Sequence, residues 1–301
     1  MQTKNIIVRM RGGLGNQLFQ LAYGLFLKKK YGAQNIILDI SEFDYYHVRE
    51  FELKHFNLGE IIISKHIKSY KYFISRNVYH LLQGIKRKIS SKELDLYPFF
   101  TKLGLFYSGI NPGKNLYSNN KKNIYVYGYF QDVTYVNIVK NEILHFIDIQ
   151  DSLRIRYQKS RLPETEYIAI SIRCGQDYRQ AGYHICDSDY YQRALRYIIS
   201  QRKNQKFHIR VFTDDIIQAQ KILDINDLFK IEYIKNASPV QQMVIMMDCD
   251  HFVISNSSFS WWGAYLSNNS NKIVVAPVKW FPSPLLDTRE THLVYKNMVI
   301  L

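Results

Sequence analysis

The sequence predicts an α/β protein of two domains, each built around a parallel sheet. Three observations lead there. The chain opens on a strand, a glycine turn, a helix and a second strand between Asn5 and Ile40. Beyond Tyr167, short apolar runs alternate with stretches of helical periodicity. Its 301 residues are also more than one hydrophobic core ordinarily organises.

Taken in order, Asn5 to Met10 reads as a buried strand and Arg11-Gly12-Gly13-Leu14-Gly15 as a glycine turn. Asn16 then starts a helix that runs to Tyr31, with Gly32 placed to stop it. Asn35 to Ile40 is the next strand. The opening has the form of a dinucleotide-binding start, but its glycines do not fit G-x-G-x-x-G. They serve a ligand or simply let the helix approach the strand. From Ser41 to Asn123 periodicity is poor, and this stretch reads as the variable part of the first domain. Asn123 to Phe130 is a further strand, and a helix follows from Asp132. Gln150 to Pro163, polar and basic, reads as the crossover, so the domains are expected at 1–155 and 156–301.

In the second half, strands are expected at Tyr167–Ile172, Phe207–Phe212, Ile231–Ile234, His251–Ser255 and Ile273–Ala276. Helices are expected near 189–202, 216–223, 239–247 and 258–267, the third opened by the cap and first-turn pair Ser238-Pro239. Around Phe252 to Leu266 the pattern is strand, polar turn, helix, with Asn256, Ser257 and Ser258 at the junction. Such a junction either caps the helix or binds an anion through N–H groups and the helix dipole.

Ligands of parallel sheets sit at the carboxyl ends of the strands. Three polar groups fall there: Arg173 to Tyr178, Thr213-Asp214-Asp215, and Ser255 to Ser258. Arg173 offers a two-pronged fork suited to a phosphate. Asp214 and Asp215 accept from ribose hydroxyls or a guanine edge, or cap the next helix. Together these describe a nucleotide-diphosphate site that needs no cation. The rival is a metal-dependent site on Asp187-Ser188-Asp189 or Asp248-Cys249-Asp250. The second triplet precedes its strand, at the wrong edge of the sheet, and Asp189 of the first is placed to cap a helix.

Composition narrows the class. The net charge of +14 asks for an anionic partner, and no run of eighteen apolar residues could span a membrane. Ser64 to Lys92 carries eight basic residues and no acid, in a spacing that allows a basic amphipathic helix. It would contact anionic lipid peripherally or, as preferred, form a solvated face. Cys174, Cys186 and Cys249 form neither a disulfide framework nor a zinc site, and no signal-peptide pattern is seen, so a cytoplasmic location is expected. A basic polyanion-binding protein is the alternative class, but no aromatic and basic nucleic-acid readout motif supports it.

Gly12-Gly13-Leu14-Gly15-Asn16-Gln17-Leu18-Phe19-Gln20 and Asn256-Ser257-Ser258-Phe259-Ser260-Trp261-Trp262-Gly263-Ala264 resemble the bacterial α-1,2-fucosyltransferases, glycosyltransferase family 11. Gly128 to Gln131, Phe212 to Asp215, and Ala276-Pro277 with Trp280-Phe281 match the family's weaker segments in order. The resemblance implies the GT-B architecture, two Rossmann-like domains facing across a cleft. It implies GDP-fucose as donor, no cofactor or metal, and inverting transfer to the 2-hydroxyl of a galactose-containing oligosaccharide. By the same resemblance Arg173 holds the donor pyrophosphate. Asn16, with Gly13 and Gly15, lies near the fucose and β-phosphate, opposite Asn256 to Ser258, and Phe259 and Ser260 join the donor-binding set. One departure stands out. The family's His-x-Arg-Arg-Gly-Asp-Tyr is here Ser171-Ile172-Arg173-Cys174-Gly175-Gln176-Asp177-Tyr178, with His replaced by Ser, the second Arg by Cys, and one residue inserted. Arg179 or Arg11 would then have to supply the missing charge, and a different GDP-sugar becomes the alternative donor. Asp177 is the expected base for the acceptor hydroxyl.

Overall fold

The computed structural model describes residues 4–45, 47–67, 77, 78, 81, 97–108, 120–147, 158, 160–223, 229–281 and 287–301. The chain divides into two compact units, Met1–Phe146 and Ile147–Leu301. The expected boundary at 155 falls outside the described residues, as does the basic stretch beyond Ile67 but for a few isolated positions.

The N-terminal unit begins with β1 (Asn5–Arg9), α1 (Leu14–Tyr31) and β2 (Asn35–Asp39). Ile6 and Val8 are fully buried, and one glycine brings helix and strand together. It is Gly24, where a Cβ would stand 2.7 Å from Val8 Cγ2, and not a glycine of the turn. Gly32 ends α1 in the left-handed conformation, its N–H bonded to Lys28 O. The sheet adds β3 (Ile62–Ser64), β4 (Leu105–Ser108) and β5 (Asn123–Gly128), all parallel, in the order β3-β2-β1-β5-β4. α2 (Tyr97–Lys102) precedes β4 and α3 (Val133–Ile147) follows β5.

The C-terminal unit contains β6 (Thr165–Ile172), α4 (Gln176–Gln180), α5 (Ser188–Gln201), β7 (Lys206–Thr213), α6 (Ile216–Ile222) and β8 (Lys230–Tyr233). It continues with α7 (Pro239–Met247), β9 (His251–Val253), α8 (Ser258–Leu266), β10 (Val274–Ala276) and β11 (Met298–Ile300). The strands are parallel in the order β11-β10-β9-β6-β7-β8. Ile168 and Ile170 of β6 are fully buried, as central strands covered on both faces should be. α7 opens with a reciprocal capping box between Ser238 and Gln241.

The cap of α5 corrects an expectation. Asp187, not Asp189, accepts from the Tyr190 N–H, because Asp187 holds the extended backbone just before the first helical residue. Asp189 lies inside the first turn and pairs with Arg193 at 2.7 Å.

α8 is buried almost all round, which explains its apolar sequence. Trp261 donates to Leu293 O at 2.7 Å, stacks on Tyr265 and meets Trp262 and Tyr295 edge-on. At the other end of the helix the Lys272 ammonium donates to Ala264 O, Tyr265 O and Ser267 O at 2.7, 3.1 and 2.7 Å. No helix among the described residues is long and apolar enough to cross a membrane.

Candidate active site

Strand register assembles the C-terminal site. Ile172 pairs with Thr213 and Ile170 with Val253, so β9, β6 and β7 end side by side. Arg173 and Asp214 are each the first residue past that register, and their side chains meet at 2.8 Å. Asp214 also accepts from the Cys174 N–H at 2.9 Å, tying the β6 and β7 loops together. The guanidinium of Arg173 lies 5.4 Å from the centre of the Tyr178 ring. The two aspartates thus divide their tasks. Asp214 holds Arg173, whereas Asp215 caps α6 by accepting from Gln218 N at 3.1 Å. Thr213 folds its hydroxyl onto Asp215 O at 3.2 Å.

Cys174, at the position of the family's second arginine, is buried against Thr213 Oγ1 at 3.6 Å. Burial pushes its thiol up despite the Thr213 contact, so it stays neutral and supplies no charge. Arg179 of α4 stands at the same turn. It donates to Cys174 O and lies 3.8 Å from Asp215. Asp177 is in α4 too, but its side chain lies outside the described residues.

The β9 loop joins the same edge. Ser171 and Ser255 approach hydroxyl to hydroxyl at 3.4 Å, and Tyr178 donates to Asn256 O at 2.6 Å. Burial raises the Tyr178 phenol far above its ordinary value, which keeps it a donor. Asn256 is buried and donates to Tyr183 O and Trp280 O at 3.1 and 3.2 Å. Ser260 turns inward onto Ser257 O at 3.1 Å. Ser257 occupies the N-cap position of α8 without making a capping bond, and Ser258 and Phe259 are half-buried beside it. The first turn of α8 therefore presents its N–H groups at the strand ends, as an anion requires.

In the N-terminal unit, Gly13 is the N-cap of α1, and Gly15 and Asn16 lie in its first turn. Gly12 is obligatory: its φ is +77°, and a Cβ there would stand 2.9 Å from Asn16 Nδ2. Asn16 Oδ1 accepts from Gln131 Nε2 at 2.9 Å. Gln17 stands in the first motif but not among the expected site residues. It is fully buried, donates to Gly12 O and Glu50 O at 2.8 Å, and accepts from Glu52 N at 2.9 Å. A glutamine on the buried side of a glycine turn was its signal.

The Asp248 and Asp250 pair lies before β9, at the opposite edge of the sheet. Asp250 accepts from Tyr167 N at 2.7 Å and pairs with Arg161, while Asp248 lies 3.9 Å from Arg210. These carboxylates face guanidinium groups. Among the described residues no cluster of three metal-binding side chains occurs.

The model of glycosyl transferase family 11 matches residues 5–297. The O-antigen biosynthesis glycosyltransferase WbnK of Escherichia coli is 30% identical over 90% of this chain and 93% of its own length. An alpha-1,2-colitosyltransferase of Escherichia coli is 26% identical, covering 92% of each chain. Among solved structures, the NodZ alpha-1,6-fucosyltransferase co-crystallised with GDP matches with a TM-score of 0.54. Its identity is 12%, over 88% of this chain and 93% of that one, a likeness of fold. The fold is GT-B, with two parallel-sheet α/β units. From the match along nearly its whole length, this chain belongs to glycosyltransferase family 11.

Proposed function

We propose that the enzyme transfers L-fucose from GDP-fucose to the 2-hydroxyl of a galactoside in a surface or O-antigen oligosaccharide, with inversion and without a metal. One observation carries the reading. Arg173, the Asp214–Asp215 pair and the Ser257–Ser258 helix terminus converge at the ends of three neighbouring strands, joined loop to loop by hydrogen bonds. In this reading the C-terminal unit binds the donor and the N-terminal unit the acceptor. The acceptor oxygen attacks the anomeric carbon opposite the phosphate. The sugar–phosphate bond breaks, its electron pair leaves on GDP, and the hydroxyl proton passes to a base. Arg173 and the N–H groups of α8 face the charge that develops on the leaving group. Asp177 is proposed as the base.

A second reading, transfer from a different GDP-sugar, is favoured by Ser171 and Cys174 in the 171–178 loop and by the colitosyltransferase relative. Both are tested by measuring transfer to lactose from GDP-fucose, GDP-colitose and GDP-mannose, with and without excess EDTA. GDP-fucose is expected to react fastest and to be indifferent to EDTA. A faster reaction with another donor selects the second reading, and loss on chelation restored by Mn²⁺ removes the metal-free mechanism.

For Asp177→Asn, the maximal rate should fall at least tenfold, with little change in GDP affinity, because general-base assistance is worth about 100-fold or more. An unchanged rate removes Asp177 from the chemistry.

A further inference from the structure

The N-terminal unit carries a second polar cluster at the carboxyl ends of its strands, centred on Arg9, Asp39, Glu42 and Tyr45, which lie outside the motifs above. Arg9 closes β1 in register with Asp39 of β2. Side chains alternate along a strand, so Arg9 stands on the face opposite Val8 and Gly24 of α1. Arg9 Nε reaches Glu42 Oε2 at 3.0 Å, and Arg11 Nε lies 3.3 Å from Glu42 Oε1. Glu42 is only 6% exposed and Asp39 is fully buried, yet both lie at the sheet edge where ligands bind. Arg9 also donates to the Tyr45 hydroxyl, while the Tyr45 ring is 62% exposed. Arg11 donates to Tyr127 OH at 2.7 Å and lies 5.5 Å from the centre of the Tyr129 ring. Asp39 Oδ2, Gln20 Nε2 and Gln131 Oε1 are buried polar atoms without a hydrogen-bond partner among the described residues.

A buried ion pair adds little net stability over apolar side chains of the same volume, so packing alone is a weak reason for this cluster. Its chemistry suits a neutral polyol. Glu42 pairs with both guanidinium groups, and the buried Asp39 carboxylate also acts on Arg9. An ionised carboxylate accepts from sugar hydroxyls, a guanidinium donates to sugar oxygens, and an exposed tyrosine face covers the apolar side of a hexose. Such a mix of a few polar groups with aromatic walls marks small-molecule sites generally.

We propose that Glu42, supported by Arg9 and Arg11 and flanked by Tyr45, holds the hydroxyls of the galactoside acceptor in the N-terminal unit. The inference rests on the function proposed above and names the residues that would hold the acceptor in that unit. The full chain is tested in two ways. Lactose binding is read by saturation-transfer NMR in the presence of GDP. GDP binding is read by calorimetry without lactose. The wild type should bind lactose; Glu42→Gln and Tyr45→Ala should weaken that binding at least tenfold, with GDP affinity changed less than twofold. Tyr45 is exposed, so its variant remains informative if Glu42→Gln folds poorly. Wild-type protein that does not bind lactose, or variants that bind it as the wild type does, would overturn the proposal. Equal loss of GDP and lactose binding would also overturn it. Failure of the underlying reading looks different: lactose binds through Glu42, but the donor screen shows no transfer from GDP-fucose.

Discussion

Arg173→Ala is expected to lower the transfer rate about 100- to 1000-fold, roughly 3–4 kcal/mol of lost transition-state stabilisation. Negative charge grows on the GDP phosphates as the bond to the sugar breaks, so a guanidinium fixed there binds the transition state more tightly than the ground state. Asp214 fixes it, at 2.8 Å, from the neighbouring strand end. Neutral Cys174 gives no help, and Arg179, bound to Cys174 O, is a second cation of that turn. Arg173→Lys keeps the charge but loses the two-pronged geometry and should recover only part of the rate. Stability should hardly change, because a partly exposed ion pair is worth about 0–1 kcal/mol. Single-turnover rates and a thermal melt without GDP check both halves. Near-normal turnover in Arg173→Ala would move the site elsewhere.

Trp261→Ala should be the most damaging change to the fold. The side chain is fully buried, packed on Trp262, Tyr265 and Tyr295, and its indole N–H satisfies Leu293 O. Truncating such a side chain costs about 3–5 kcal/mol, and the orphaned carbonyl adds about 1–3 kcal/mol. For a unit of this size each kcal/mol is about 2–4 °C, so the melting temperature should drop by roughly 10 °C or more. Trp261→Phe, which keeps much of the volume, should lose less. A shift of under about 2 °C in the alanine variant would mean that α8 does not depend on this packing.

Much of this was legible in the sequence because parallel sheets write a simple pattern. Buried strands such as Ile168–Ile172 stand out as apolar runs, and caps such as Ser238-Pro239 mark where helices begin. The three strand-end constellations could be located for the same reason. What could not be read were the short edge strands. β3 is three residues long with Ile62 and Ile63 nearly half exposed, too short and too little buried to show a period. Nor could the partner of Arg173 be read, since Asp214 becomes its neighbour only through the pairing of β6 with β7. The sequence points to Asp189 as the cap of α5 and the structure to Asp187, because nothing in the Asp-Ser-Asp triplet fixes the first helical residue. Nor could the loop contacts of Asn256 be read; its side chain donates to Tyr183 O and Trp280 O.

The Lys272 ammonium has a consequence for motion. A helix normally frays from its last turn, where carbonyls lack partners and local opening costs little. In α8 two of those carbonyls, Ala264 O and Tyr265 O, share one ammonium with Ser267 O just beyond, and Trp261 is held at the fourth residue of the helix. Fraying of α8 from its carboxyl end therefore has to break the Lys272 bonds first. In the function proposed above, the first-turn N–H groups would then meet the donor phosphate on a helix braced at both ends.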